Sequence, residues 1–127
     1  MHSSKGAQRK NRVRIIGGAH RGRRIAVPDR PGLRPTPDRV RETLFNWLGQ
    51  RLDGLACLDL FAGSGALGFE AASRGAARVV MVENDRAAFE SLKKSLAVIG
   101  ARQVELVFAD AFDFLRASQD GFDIVFL

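Results

Sequence analysis

Apolar residues change their spacing twice along the chain, and each change marks a different kind of element. Arg12-Val13-Arg14-Ile15 alternates polar and apolar, and Arg23-Arg24-Ile25-Ala26-Val27 resumes an extended pattern that ends at Pro28. Gly17-Gly18-Ala19-His20-Arg21-Gly22 supplies turn residues between them, so residues 12–28 are predicted to form a basic β-hairpin. The residues before it, 1–11, are polar without periodicity and read as a mobile basic arm. Asp29 to Pro37 is rich in Pro and Gly and reads as a linker, with Thr36 placed to cap a helix whose first residue is Pro37. Val40, Leu44, Trp47 and Leu48 then recur at helical spacing while Arg39, Arg41 and Glu42 fall elsewhere, until Gly49 permits an end. This predicts a helix with one buried apolar face that includes Trp47 as a core residue.

After Asp53-Gly54 the pattern becomes short apolar strands alternating with amphipathic helices, the mark of an α/β fold with a parallel sheet. Strands are predicted near 56–61, 78–83, 103–108 and 122–127, and helices near 65–74, 86–99 and 111–117. Gly75 and Gly100 stand where left-handed caps are needed. Residues 29–127 are thus expected to form one α/β domain behind the hairpin.

Composition narrows the function classes. The longest apolar runs, such as Val79 to Val82 and Ile124 to Leu127, are far too short to cross a bilayer. No apolar core follows the early cations, so a secretory signal does not fit. The single Cys57 cannot form an internal disulfide and reads as a buried thiol in a reducing cytoplasm. Charge is uneven. Residues 1–56 carry thirteen Lys or Arg against four acids, the remainder seven against ten, and no acid interrupts residues 1–28. Such a basic front suits a polyanion, because Lys and Arg that displace condensed counterions supply the main term of nucleic-acid binding. The hairpin loop would present His20, Arg21, Arg23 and Arg24 together to an RNA backbone; a solvated basic surface is the plainer alternative.

The chemistry concentrates in Asp59-Leu60-Phe61-Ala62-Gly63-Ser64-Gly65-Ala66-Leu67-Gly68, which leaves a predicted strand and enters a predicted helix. Gly63 and Gly65 allow a tight turn and close approach of a ligand to the backbone, and the helix start offers free N–H donors. Gly63 to Gly68 also satisfies the dinucleotide fingerprint, so a NAD(P)-binding oxidoreductase domain is an alternative. Asp59 would stand where a dinucleotide puts its pyrophosphate, whereas S-adenosylmethionine carries a sulfonium and an ammonium that a carboxylate attracts. Glu83 closes the second strand, suited to accept from ribose hydroxyls, and Asp110 closes the third, beside Ala111 and Phe112, suited to an adenine. Each acid could equally cap the helix that follows. No His, Cys or carboxylate cluster has metal-ligand spacing, and His2 and His20 alone support no Ser-His-Asp or Cys-His arrangement.

These residues resemble the class I methyltransferases, and closely the RsmD group, which methylates a guanine exocyclic amino group in small-subunit ribosomal RNA. The likeness runs from Arg14 onward through Arg14-Ile15-Ile16-Gly17-Gly18, Arg34-Pro35-Thr36-Pro37-Asp38-Arg39-Val40-Arg41-Glu42, Leu44-Phe45-Asn46-Trp47-Leu48, the Asp59 glycine motif and Val82-Glu83-Asn84-Asp85. The resemblance implies a Rossmann-like sheet of which this chain holds the N-terminal half. It implies an S-adenosyl-L-methionine site at Asp59, Phe61, Gly63, Ser64, Gly65, Glu83, Asn84, Asp110 and Ala111, closed over by the Thr36 to Trp47 helix. It further implies an RNA surface at Arg14, His20, Arg21, Arg23 and Arg24 that meets ribosomal RNA in an assembling small subunit. The group's catalytic motif, an Asp or Asn followed by two prolines and an aromatic, is expected just after Leu127. A non-catalytic RNA-binding module is the remaining alternative.

Overall fold

The computed structural model describes residues 12–29 and 36–127; the arm expected over 1–11 and most of the linker expected over 29–37 lie outside them. Alternation in the basic segment does produce a hairpin. Strands β1 (Arg12–Arg14) and β2 (Arg24–Ala26) pair antiparallel with Val13 opposite Ile25 and Arg14 opposite Arg24. Val13 and Ile25 point inward and are buried, while the arginines point to solvent. The turn presses against the body of the protein: a Cβ on Gly18, whose φ is +82°, would lie 1.9 Å from the Ser73 carbonyl oxygen.

Helix α1 (Asp38–Leu48) follows, and it differs from expectation at both its start and its face. Pro37 occupies the N-cap position, so the helix begins at Asp38, and among the described residues no side chain caps it. Thr36 is therefore not the cap. The buried residues are Arg41 and Phe45, whereas Trp47 is 82% exposed and Val40 also faces solvent. Of the expected stripe Leu44 packs against the core, but Val40, Trp47 and Leu48 face outward, because a buried arginine, satisfied by partners distant in sequence, reads as a surface residue.

Four parallel strands form the main sheet: β3 (Ala56–Asp59), β4 (Arg78–Glu83), β5 (Val104–Phe108) and β6 (Ile124–Phe126), in the order β5-β4-β3-β6. They are joined by α2 (Ala66–Ser73), α3 (Arg86–Ile99) and α4 (Ala111–Ala117). The predicted elements agree with these within a few residues, and Gly75 and Gly100 have the positive φ expected of them, +97° and +72°. Val79 to Val82 is buried without interruption because helices or loops cover both faces of β4. On one face Cys57, Val79 and Met81 pack with Phe45, Phe69, Leu92 and the hairpin's Val13, Ile15, Ile25 and Val27; on the other, Leu58, Val80 and Val82 pack with Phe114 and Phe122. Burial pushes the Cys57 thiol up to about 11, with the Asp123 charge adding to it, so this thiol is inert near neutrality. Among the described residues no helix is long and apolar enough to cross a membrane.

Strand order reverses between β3 and β6, since β4 and β5 step outward on one side and β6 returns on the other. In open α/β sheets ligands bind at the carboxyl ends of the strands beside such a reversal. Asp59, the last residue of β3, pairs in register with Phe126 and Met81 at that point.

Candidate cofactor site and basic face

The loop from β3 into α2 is built by two left-handed glycines, Gly63 at φ +57° and Gly65 at φ +86°. Gly65 is the N-cap of α2, and a Cβ there would lie 2.5 Å from Phe69 and 2.7 Å from Leu92. This glycine lets the helix start press on its own core. Glu83 reaches the loop from the end of β4: its Oε1 accepts from the Gly63 N–H at 2.8 Å and its Oε2 from the Asp85 N–H at 2.9 Å. Each oxygen still has a lone pair free for a further donor.

Beneath the loop, Asp59 is only 4% exposed. Burial pushes its carboxyl up to about 7; the Gly68 and Phe61 N–H groups that donate to it pull the other way, and the nearby Glu83 charge adds to the rise. Sequence reasoning placed an ionised carboxylate at the strand end; the folded protein holds one poised near neutrality. A small cavity of about 90 Å³ opens above it, lined by Thr36, Asp59, Phe61, Ala62, Gly63, Ser64, Ala66 and Leu67. No Lys or Arg is among these described residues, which present an acid and no partner for a pyrophosphate. Of the segment expected to close over the site, Thr36 borders this cavity.

Asp110 is the N-cap of α4, where its Oδ1 accepts from the Phe112 and Asp113 N–H groups at 2.9 and 3.0 Å. The capping alternative therefore holds for this acid, which remains exposed, as does Phe112 beside it. Ala111 is buried, and Asn84 is exposed next to Glu83. Ser64 is buried, its Oγ accepting from the Ala66 N–H at 3.3 Å. Asp85, which sequence reasoning left without a role, caps α3 by accepting from the Ala88 N–H at 2.9 Å. Among the described residues no group of His, Cys, Asp and Glu is arranged to hold a metal ion.

The basic residues do not gather at the hairpin loop as expected. Arg14 and Arg24 stand opposite each other across the two strands and, with Arg12 and Asp38, line a shallow hollow of about 470 Å³. Like charges in directly opposed positions destabilise a strand pair. Arg21 lines a separate groove with residues of α1 and the end of α2, and Arg23 turns away to donate to the Val98 carbonyl at 2.9 Å. His20, read from the sequence as an ordinary exposed residue, is half-buried, and its Nδ1 has no hydrogen-bond partner among the described residues.

One constellation escaped sequence reasoning. Glu70 of α2 is wholly buried, its Oε1 accepting from the Ile16 N–H at 2.9 Å and Arg41 at 3.2 Å, its Oε2 from the Gly17 N–H and Arg74, each at 2.9 Å. The available signal was a lone acid within the otherwise uncharged run Gly65 to Ser73.

Comparison with known proteins bears on this arrangement. The sequence profile of the family described as Conserved hypothetical protein 95 matches residues 13–127. The chain is 53% identical over 115 residues to ribosomal RNA small subunit methyltransferase D of Escherichia coli K12, covering 91% of this chain and 58% of that one. It is 48% identical over 122 residues to the protein of the same name from Haemophilus influenzae, covering 93% and 63%. The chain thus spans less than two thirds of the length of these relatives. The solved structure of the Escherichia coli protein yhhF superposes with a TM-score of 0.81 at 49% identity, covering 91% of this chain and 62% of that one.

Proposed function

The chain belongs to the Conserved hypothetical protein 95 family, the RsmD group of class I methyltransferases, and from that premise we propose that it is the cofactor-binding part of an S-adenosylmethionine-dependent enzyme that methylates small-subunit ribosomal RNA. The observation that carries the choice of cofactor is the cavity above Asp59, whose described lining residues offer a carboxylate and no Lys or Arg. A dinucleotide would set its pyrophosphate against that acid, whereas S-adenosylmethionine brings positive charge to it. Asp59, with Phe61, Gly63, Ser64 and Gly65, holds the aminoacid end of the cofactor. Glu83, fixed by Gly63 and Asp85, turns its free lone pairs to the ribose hydroxyls, with Asn84 alongside. Asp110 and Ala111 border the adenine, and Phe112 lends its exposed ring as an apolar wall.

When bound, the cofactor supplies a methyl group already activated by its sulfonium, so the protein mainly aligns reactants and excludes water. The target is a guanine exocyclic amino group, and the side chain that accepts from it is assigned to the chain directly following β6. Residues 12–28 with the arm before them meet the RNA, and residues 29–127 hold the cofactor. Arg14 and Arg24 are the main phosphate contacts, their mutual repulsion relieved by a bound polyanion; His20, Arg21 and Arg23 stand on the turn that joins the two strands, outside that hollow. The substrate is ribosomal RNA within an assembling subunit in the cytoplasm.

Incubating the longer protein that contains this chain with methyl-tritiated S-adenosylmethionine and small-subunit ribosomal RNA tests the reading. Digestion to nucleosides is expected to place the label in N2-methylguanosine. Label confined to another nucleoside would overturn the target, and no transfer to RNA, either free or in the subunit, would overturn the activity.

A further inference from the structure

Arg41 is a fully buried cation whose donors reach three parts of the protein: the start of its own helix, the hairpin and α2. Its Nε donates to the Thr36 carbonyl at 3.2 Å, its Nη1 to the Arg14 carbonyl at 2.9 Å and to Glu70 Oε1 at 3.2 Å, and its Nη2 to the Asp38 carboxylate. Glu70 in turn receives the backbone N–H groups of Ile16 and Gly17. A buried ion pair is a weak source of net stability, because desolvation of both charges offsets their attraction, so its presence asks for a positional reason.

That reason is visible in what the two residues join. Thr36 borders the cavity above Asp59, and Glu70 belongs to the short helix α2 whose first residue, Ala66, lines the same cavity. On the far side, the Arg14 carbonyl and the Ile16 and Gly17 amides belong to the basic hairpin, so both walls of the cavity are one or two hydrogen bonds away from it. We propose that Arg41 and Glu70 are positioning residues that link the cofactor cavity to the basic hairpin, so that filling one site sets the geometry of the other. The inference rests on the cofactor reading given above. Because linkage is reciprocal, RNA held by the hairpin would tighten cofactor binding by the same factor with which cofactor tightens RNA binding.

The test uses amide resonances of the 127-residue chain, with S-adenosylhomocysteine as the probe. In the parent chain, addition of the probe is expected to shift the resonances of Gly63 and Gly65 and also those of Ile16 and Gly17. Arg41→Met is expected to keep the response at the two loop glycines and to lose it at Ile16 and Gly17. A merely structural role for Arg41 would alter the free spectrum but leave the probe-induced change in the hairpin intact. Should Arg41→Met fail to fold, Arg41→Lys keeps a cation against Glu70 while giving up the fork that holds Thr36 and Arg14, and the hairpin response is expected to weaken. A parent chain whose loop glycines respond while Ile16 and Gly17 do not would overturn the linkage and leave the cofactor reading standing, as would an undiminished hairpin response in the variants. A spectrum in which nothing responds would overturn both.

Discussion

Glu83 accepts a 2.8 Å hydrogen bond from the backbone N–H of Gly63, twenty residues earlier in the chain, and so fixes the glycine loop to the end of the neighbouring strand. Glu83→Gln keeps one acceptor but turns an NH2 toward a backbone N–H that now has none. Affinity for S-adenosylhomocysteine is expected to fall roughly tenfold or more, in line with about 1.5–3 kcal/mol for hydrogen bonds to a charged group. Calorimetric titration checks this; unchanged affinity would remove Glu83 from the site.

Asp59 ties stability to pH. Below 3.8 its carboxyl is protonated in folded and unfolded chains alike and costs nothing. As pH rises toward 7 the unfolded chain ionises while the buried group resists, so stability falls, and above 7 the loss levels off at about 4 kcal/mol. Asp59→Asn is therefore expected to stabilise the chain at pH 8 by a few kcal/mol, to do so less than half as much at pH 5, and to weaken cofactor binding. Urea denaturation at the two pH values reads the difference; an equal gain at both would refute a raised carboxyl.

Gly65 and Gly22 have nearly the same φ, +86° and +87°, but different surroundings. A Cβ on Gly65 meets Phe69 and Leu92 below 3 Å, while no described residue lies within 4 Å of one on Gly22. Gly22→Ala should cost about 1–2 kcal/mol for the left-handed backbone alone, and Gly65→Ala about 3 kcal/mol or more once overpacking is added. Equal urea midpoints for the two variants would contradict this account of the loop.

On the basic face, Arg14→Ala is expected to weaken RNA binding with little dependence on sequence and to lower the slope of log affinity against log salt by about 1. It should not destabilise the hairpin, because it relieves the repulsion from Arg24. Arg23→Ala, whose guanidinium is occupied by the Val98 carbonyl, should change the slope less. A larger effect from Arg23 than from Arg14 would reverse the assignment of the RNA face.

The sheet was legible in the sequence because buried parallel strands such as Val79 to Val82 are continuous apolar runs and the glycines between elements mark their ends. The acids at the strand ends were legible too, though not their states: Asp59 lies buried beneath the loop, and Asp110 is engaged in capping α4. What escaped was the inward face of α1. Arg41 is buried only because Glu70, Thr36 and Arg14 satisfy it, and partnerships across such sequence distances leave no mark in hydrophobic periodicity. Trp47 was assigned to the core for the same reason, since the stripe it belongs to is the more apolar one.

The account turns on which cofactor the Asp59 cavity accepts, and calorimetric titration of this chain with S-adenosylhomocysteine, S-adenosylmethionine and NAD decides it most directly. The account predicts binding of both adenosyl ligands, weakened by Glu83→Gln, and much weaker binding of NAD. Tighter binding of NAD than of S-adenosylmethionine would contradict it.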